Sequence, residues 1–134
     1  MLIEILLALA TKQGVPVVDT KWSCSNQVEV WCAVDSCAAR PVDEFTPMSI
    51  AADMAGSVEV CAYTGCWQAK SVLVDQDSRL LWTASDAPFS TGANAGSGGE
   101  GIDLTLLVDR RDGIGFVRAG GIASPLLCNS SQSE

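Results

Sequence analysis

The sequence predicts an all-β protein, an antiparallel meander that forms a small sandwich or barrel and is stabilised by disulfides. Three observations carry this expectation. Short segments alternate apolar and polar residues with period two, the pattern of a half-buried strand rather than a helix. Turn-forming residues separate these segments at short intervals, and no long amphipathic helix interrupts them. Six cysteines in 134 residues form an even set, as in the disulfide frameworks of exported chains.

The elements follow in order. Leu2 to Ala10 is apolar apart from Glu4 and ends in the small-x-small triplet Ala8-Leu9-Ala10. A complete export signal runs roughly 15–30 residues from a basic start. This stretch is shorter and carries an acid, so it reads either as the remnant of a signal peptide over residues 1–10 or as a short native helix or strand. Residues 11–134 then make one β domain, the size of an ordinary single domain. Val15 to Val18 is a short β-branched run broken by Pro16. Gln27 to Val34 alternates, with Val28, Val30, Cys32 and Val34 on one face and Gln27 and Glu29 on the other; the valine face is expected to be the buried one. Phe45 to Ala52 is a weaker strand, which Pro47 assigns to a sheet edge; Ile50 to Ala55 also reads as a short helix.

Ser57 to Ala62 alternates, Tyr63-Thr64-Gly65 turns, and Cys66 to Val74 returns. Asp75 to Ser78 is a second turn, rich in side chains that bond their own backbone. Arg79 to Ser85 completes a three-strand meander with Leu80, Trp82 and Ala84 on one face. Residues 90–101 are rich in Gly and Ser and have almost no side chain to bury, so they form a flexible surface loop inside the domain. Ile102 to Val108 is the strongest strand. The turn ending in Asp112-Gly113 leads to Ile114–Ala119, and Gly120-Gly121 leads to Ile122–Cys128. The tail from Asn129 to Glu134 is polar and expected to fray. This makes seven to nine strands.

Composition narrows the function. Hydrophobic residues make up 48% and charged residues 18%, apolar enough to bury a core. No stretch approaches 18 apolar residues, so no helix spans a membrane. Sixteen acids face eight scattered bases, a net charge of −8. Nucleic-acid affinity needs clustered Lys and Arg to displace counterions, and an anionic bilayer would repel this surface. A cationic protein remains as a partner, beside the plain reading that the charge keeps the chain soluble. Histidine is absent, which removes Ser-His-Asp and Cys-His catalysis and any zinc site built on imidazole. The expectation is therefore no enzyme, with no catalytic, cofactor-binding or metal-ligating residues.

Several features invite a functional reading and meet a plainer one. Gly92 to Gly101 lies before a strand, whereas phosphate loops lead into a helix. Asp75 and Asp77 lack the distal ligands of a calcium loop and, like Asp109 and Asp112, read as turn residues. Asn129-Ser130-Ser131 fits a glycosylation triplet that occurs often by chance. Trp22, Trp31, Trp67 and Trp82 serve either the core or a binding patch. Trp31 lies opposite the valines of its strand and Trp67 follows a cysteine and a turn. Together with Tyr63 they are the candidate binding surface.

The cysteines Cys24, Cys32, Cys37, Cys61, Cys66 and Cys128 read as disulfides, with a metal site or free thiols as rivals. Both C-x4-C pairs flank a four-residue turn, where a hairpin brings Cα atoms within the roughly 4.4–6.8 Å that a disulfide needs. This gives Cys32–Cys37 and Cys61–Cys66, and leaves Cys24 with Cys128 if the first and last strands are neighbours. The rival pairing is Cys24–Cys32, with Cys37 joined to Cys128 or free.

The run Gly56-Ser57-Val58-Glu59-Val60-Cys61-Ala62-Tyr63-Thr64-Gly65-Cys66-Trp67, with Gly120-Gly121-Ile122-Ala123-Ser124-Pro125-Leu126-Leu127-Cys128, resembles small exported proteins of proteobacteria that have no assigned function. The likeness covers residues 24–128. It implies a β-rich periplasmic or envelope protein and carries over no catalytic residue. The functional expectation is an exported, periplasmic or secreted, non-enzymatic binding or structural module. The alternatives are an inhibitor of a cationic hydrolase such as lysozyme, or a lipocalin-like carrier of a small ligand.

Overall fold

The computed structural model describes residues 20–91 and 101–132. The run Val15–Val18, the apolar segment Leu2–Ala10 and most of the Gly/Ser-rich loop lie outside the described residues. The described chain forms β1 (Thr20–Ser25), β2 (Val28–Cys32), β3 (Cys37–Pro41), β4 (Ser49–Asp53), β5 (Ser57–Ala62) and β6 (Gly65–Lys70). It continues as β7 (Val72–Gln76), β8 (Arg79–Ala87), β9 (Phe89–Ser90), β10 (Ile102–Asp109), β11 (Ile114–Ala119) and β12 (Ile122–Gln132). All pair antiparallel in one sheet curled into a half-barrel, in the order β7-β8-β10-β11-β12-β1-β4-β5-β6-β9. A branch leaves this path at β12, which also pairs with β2, and β2 pairs with β3.

Period-two alternation fixes which side chains face inward. Leu80 and Trp82 of β8 lie opposite Val108 and Leu106 of β10, and Leu106 lies opposite Val117 of β11. Trp22, Ala52 and Val58 form a matching row across β1, β4 and β5. All are buried, and they join Met48, Ile50, Val60, Leu104, Ile122 and Leu126 in one cluster. Burying one such aliphatic side chain contributes about 1.5–3 kcal/mol. The Trp82 indole also donates a hydrogen bond of 2.9 Å to the Asp53 carbonyl, tying β8 to the β4–β5 turn. On the opposite side of the sheet, Val74, Leu81, Leu107, Phe116 and Pro125 pair in turn across five strands and form an outward apolar row.

The structure corrects several expectations. In β2 the buried residue is Glu29, with none of its surface exposed, while Val28 and Val34 are open to solvent. An acid can hold the inward position because partners meet it there, as described below. The segment around Ile50 is neither helix nor edge: β4 runs centrally between β1 and β5, and Pro47 precedes it and so removes no ladder hydrogen bond. Cys66–Val74 is two strands, because Ser71 leaves the ladder and bonds the Gly56 carbonyl through both its amide and its hydroxyl. β6 therefore stays beside β5, while β7 pairs with β8. The segment Asn129–Gln132, expected to fray, continues β12 against β1. Strands β1, β3 and β9, which lie outside the segments expected as strands, and the division of Cys66–Val74 bring the described strands to twelve, above the seven to nine expected.

Three disulfides lock this sheet. Cys24 lies directly opposite Cys128 on β1 and β12, Cys32 opposite Cys37 on β2 and β3, and Cys61 opposite Cys66 on β5 and β6. Such a set belongs to an oxidising compartment outside the cytoplasm. No helix among the described residues is long and apolar enough to cross a membrane.

The three bonds close very different loops, with sequence separations of 104 for the first and 5 for each of the others. Loop-closure entropy makes the first worth nearly 5 kcal/mol and the short ones about 2 kcal/mol each. The double variant Cys24→Ser/Cys128→Ser should therefore lose more stability than Cys61→Ser/Cys66→Ser in urea unfolding, and equal losses would contradict this account.

Candidate functional site

The site begins with a buried carboxylate. Antiparallel pairing of β2 and β3 sets Glu29 opposite Arg40, and Trp31 follows two residues later on the same face as Glu29. Strand β2 is fixed to β12 by the Cys32 amide on the Gly121 carbonyl (2.8 Å) and the Val30 amide on the Ser124 hydroxyl (3.0 Å). Before it, buried Asn26 holds the break after β1, accepting from the Met48 amide at 2.8 Å and donating to the Val28 carbonyl at 3.2 Å. These anchors turn the Glu29 face of the ribbon toward the β5–β6 turn, where Tyr63 sits at φ +58°.

Glu29 then gathers three donors. The Trp31 indole N–H reaches Oε1 at 2.7 Å, the Tyr63 hydroxyl reaches Oε2 at 2.6 Å, and the Arg40 guanidinium bonds and ion-pairs with Oε1. Arg40 also donates to the Tyr63 oxygen at 3.2 Å. Burial pushes the Glu29 carboxyl upward, but the bonds from Tyr63, Trp31 and Arg40 outweigh it and hold the group below its ordinary value of 4.5. Donation to Glu29, with burial, raises the Tyr63 phenol above its ordinary value.

Above this network lies a pocket of about 370 Å³. Trp31, Tyr63, Trp67 and Phe89 supply its rings, from β2, the β5–β6 turn, β6 and β9, while Ile102 of β10 and Ile122 of β12 add aliphatic surface. Trp67 and Phe89 meet with ring centroids 4.8 Å apart and planes tilted by 59°. Two glycines admit these rings. A Cβ on Gly65 would stand 2.6 Å from the Phe89 ring and 2.4 Å from the Ser90 carbonyl, and one on Gly121 would press to 3.2 Å against the Trp31 indole.

The three residues expected as a binding surface, Trp31, Tyr63 and Trp67, thus line one pocket, while Trp22 and Trp82 belong to the core. Glu29, Arg40 and Phe89 were missed. The first two had a signal: once Cys32 pairs with Cys37, the residue three before the first must face the residue three after the second. Phe89 had none, since its strand is two residues long. The remaining candidates resolve into structure. Asp75 holds Arg110 through two bonds of 2.8 and 2.9 Å, and Asp109 and Asp112 accept backbone amides two residues on. Arg111 holds the Asp109 carboxyl at about 2. Among the described residues, one group of acid and sulfur side chains is compact enough for an ion, Glu59 with Cys61 and Cys66, and the disulfide leaves it no thiolate. No family model, curated protein or solved structure matches the chain.

Two outcomes follow from this geometry. Because the folded-state pKa of Glu29 lies below its unfolded value, its charge contributes stability above about pH 4.5 that is lost as pH falls through the folded pKa. Thermal melts from pH 7 to pH 3 should show Glu29→Gln less stable than wild type at neutral pH by about 1–3 kcal/mol, with the gap closing in acid; a gap independent of pH would contradict the network. Gly65→Ala should cost about 1–3 kcal/mol by overpacking and should change tryptophan emission, since Phe89 must leave Trp67; an unchanged melt and spectrum would be inconsistent with the close approach.

Proposed function

We propose that the protein is an exported, periplasmic or secreted, non-enzymatic module that binds a small ligand with an apolar body in the pocket of Trp31, Tyr63, Trp67 and Phe89. The convergence of four aromatic side chains from four separate elements carries this reading. Aromatic rings lower the free energy of a core by burial, yet Trp31 is 42% and Tyr63 54% exposed. Two large rings held open to solvent by a buried carboxylate are costly as packing and useful as a contact surface. The volume lies near the lower end of the roughly 300–1,000 Å³ typical of ligand pockets, which fits a small molecule rather than a lipid chain.

The acids point the same way. Glu29, Asp75 and Asp109 are neutralised by Arg40, Arg110 and Arg111, and Asp53 and Asp112 accept backbone amides. An inhibitor of a cationic hydrolase would need a concentrated face of unpaired acids, and at these five positions the carboxylates are engaged within the chain.

A titration with N-phenyl-1-naphthylamine, a neutral apolar fluorophore, tests the reading. Saturable enhancement is expected with the wild type and should weaken at least about ten-fold in Trp31→Ala, the loss of about 1.4 kcal/mol of contact. No saturable binding, or equal binding by the variant, would sink the proposal.

A further inference from the structure

We infer that the pocket selects a small organic cation bearing an alkylated ammonium group, an inference that rests on reading the pocket as a binding site. The argument runs through what the wall offers. The Tyr63 hydroxyl and the Trp31 indole N–H are both held by Glu29, so two of the polar groups at the wall already serve an internal anion. Among the described residues, no lining residue is charged. The Arg40 guanidinium, which donates to the Tyr63 oxygen at 3.2 Å, is paired with the same carboxylate. An anionic ligand would find no unpaired cation on the described wall to neutralise it, and a sugar would find few free donors and acceptors there.

Ring faces remain. A cation over Trp, Tyr or Phe is attracted by the ring quadrupole, most strongly over Trp. Donation of the indole proton to a buried carboxylate polarises the Trp31 ring toward greater electron density, as hydrogen-bonded chains polarise one another, while at Tyr63 the bond given to Glu29 is opposed by the bond accepted from Arg40. The attraction for a cation over Trp31 grows accordingly. Glu29 and Arg40 cancel locally, so no net positive charge opposes entry, and the chain as a whole carries −8, which draws cations toward it. An alkylated ammonium group presents a positive charge spread over methyl surface, so it also matches Ile102 and Ile122. A bare ammonium would lose more hydration on entering.

Choline and 3,3-dimethylbutan-1-ol are nearly equal in shape and differ in charge. Titration of the disulfide-intact protein with each, followed by tryptophan emission or by NMR line shifts, measures the preference directly. Choline should bind about ten-fold more tightly than the alcohol or better. Trp31→Leu, which keeps apolar bulk, should reduce the preference to near unity, with circular dichroism verifying that the sheet is retained. Tyr63→Phe, which keeps the ring but not its bond to Glu29, should lower the preference only in part. Equal affinity for the two probes would overturn cation selection and leave the apolar-pocket reading in place. Binding of N-phenyl-1-naphthylamine with no binding of choline would do the same. If none of the three probes binds, both readings fall.

Discussion

A buried carboxylate must be paired, and the pairing of Glu29 organises the pocket end of this half-barrel. An ionised acid taken out of water costs several kcal/mol unless hydrogen bonds and an opposite charge replace its hydration. Glu29 obtains that replacement from Trp31 on its own strand, Arg40 on the neighbouring strand and Tyr63 on a separate hairpin. One side chain therefore joins the β2–β3 ribbon to the β5–β6 turn. The same bonds fix the orientation of two rings that hydrophobic burial would otherwise have drawn into the core. Loss of a single partner would leave the rest misaligned, so the network acts as a unit rather than as three separate contacts.

The covalent frame makes this arrangement affordable. The Cys32–Cys37 bond sets the register of β2 and β3, which places Glu29 against Arg40. The Cys61–Cys66 bond does the same for β5 and β6, which places Tyr63 at the turn and Trp67 one residue past the cysteine. The long-range Cys24–Cys128 bond joins the first and last described strands. Each hairpin that presents a ring to the pocket from β2 or β6 is thus stapled beside that ring. Reduction would loosen the core as well as the pocket, because Cys24 and Cys128 belong to the buried apolar cluster.

Much of the fold was legible because burial in a sheet leaves a period-two trace. Residues 57–62, 79–85 and 102–108 alternate, and each is a strand, with Leu80 and Trp82 of the face named for 79–85 turned inward. The same rule misled at β2, where Val28, Val30 and Val34 form the more apolar face by composition but Glu29 faces the interior. Periodicity ranks faces by hydropathy and does not record a distant donor such as Tyr63. The division of residues 66–74 into two strands was hidden for a similar reason, since Ser71 leaves the ladder through a bond to Gly56, fifteen residues away. The aromatic members Trp31, Tyr63 and Trp67 stood out by their positions beside cysteines and turns. Phe89 did not, because its place depends on Gly65 allowing a two-residue strand to approach.

Strand β12 sets where the site stands relative to the chain ends. It begins at Ile122, in the pocket wall, and its far end, Gln132, pairs with Thr20 at the start of β1. Ten residue steps of strand separate the two, roughly 33 Å along the backbone at about 3.3 Å per step. The described chain therefore enters and leaves side by side at one pole, while the aromatic pocket opens near the other. Anything joined to either end, whether a surface, a linker or a neighbouring domain, would hold the domain by its base and leave the rings facing outward.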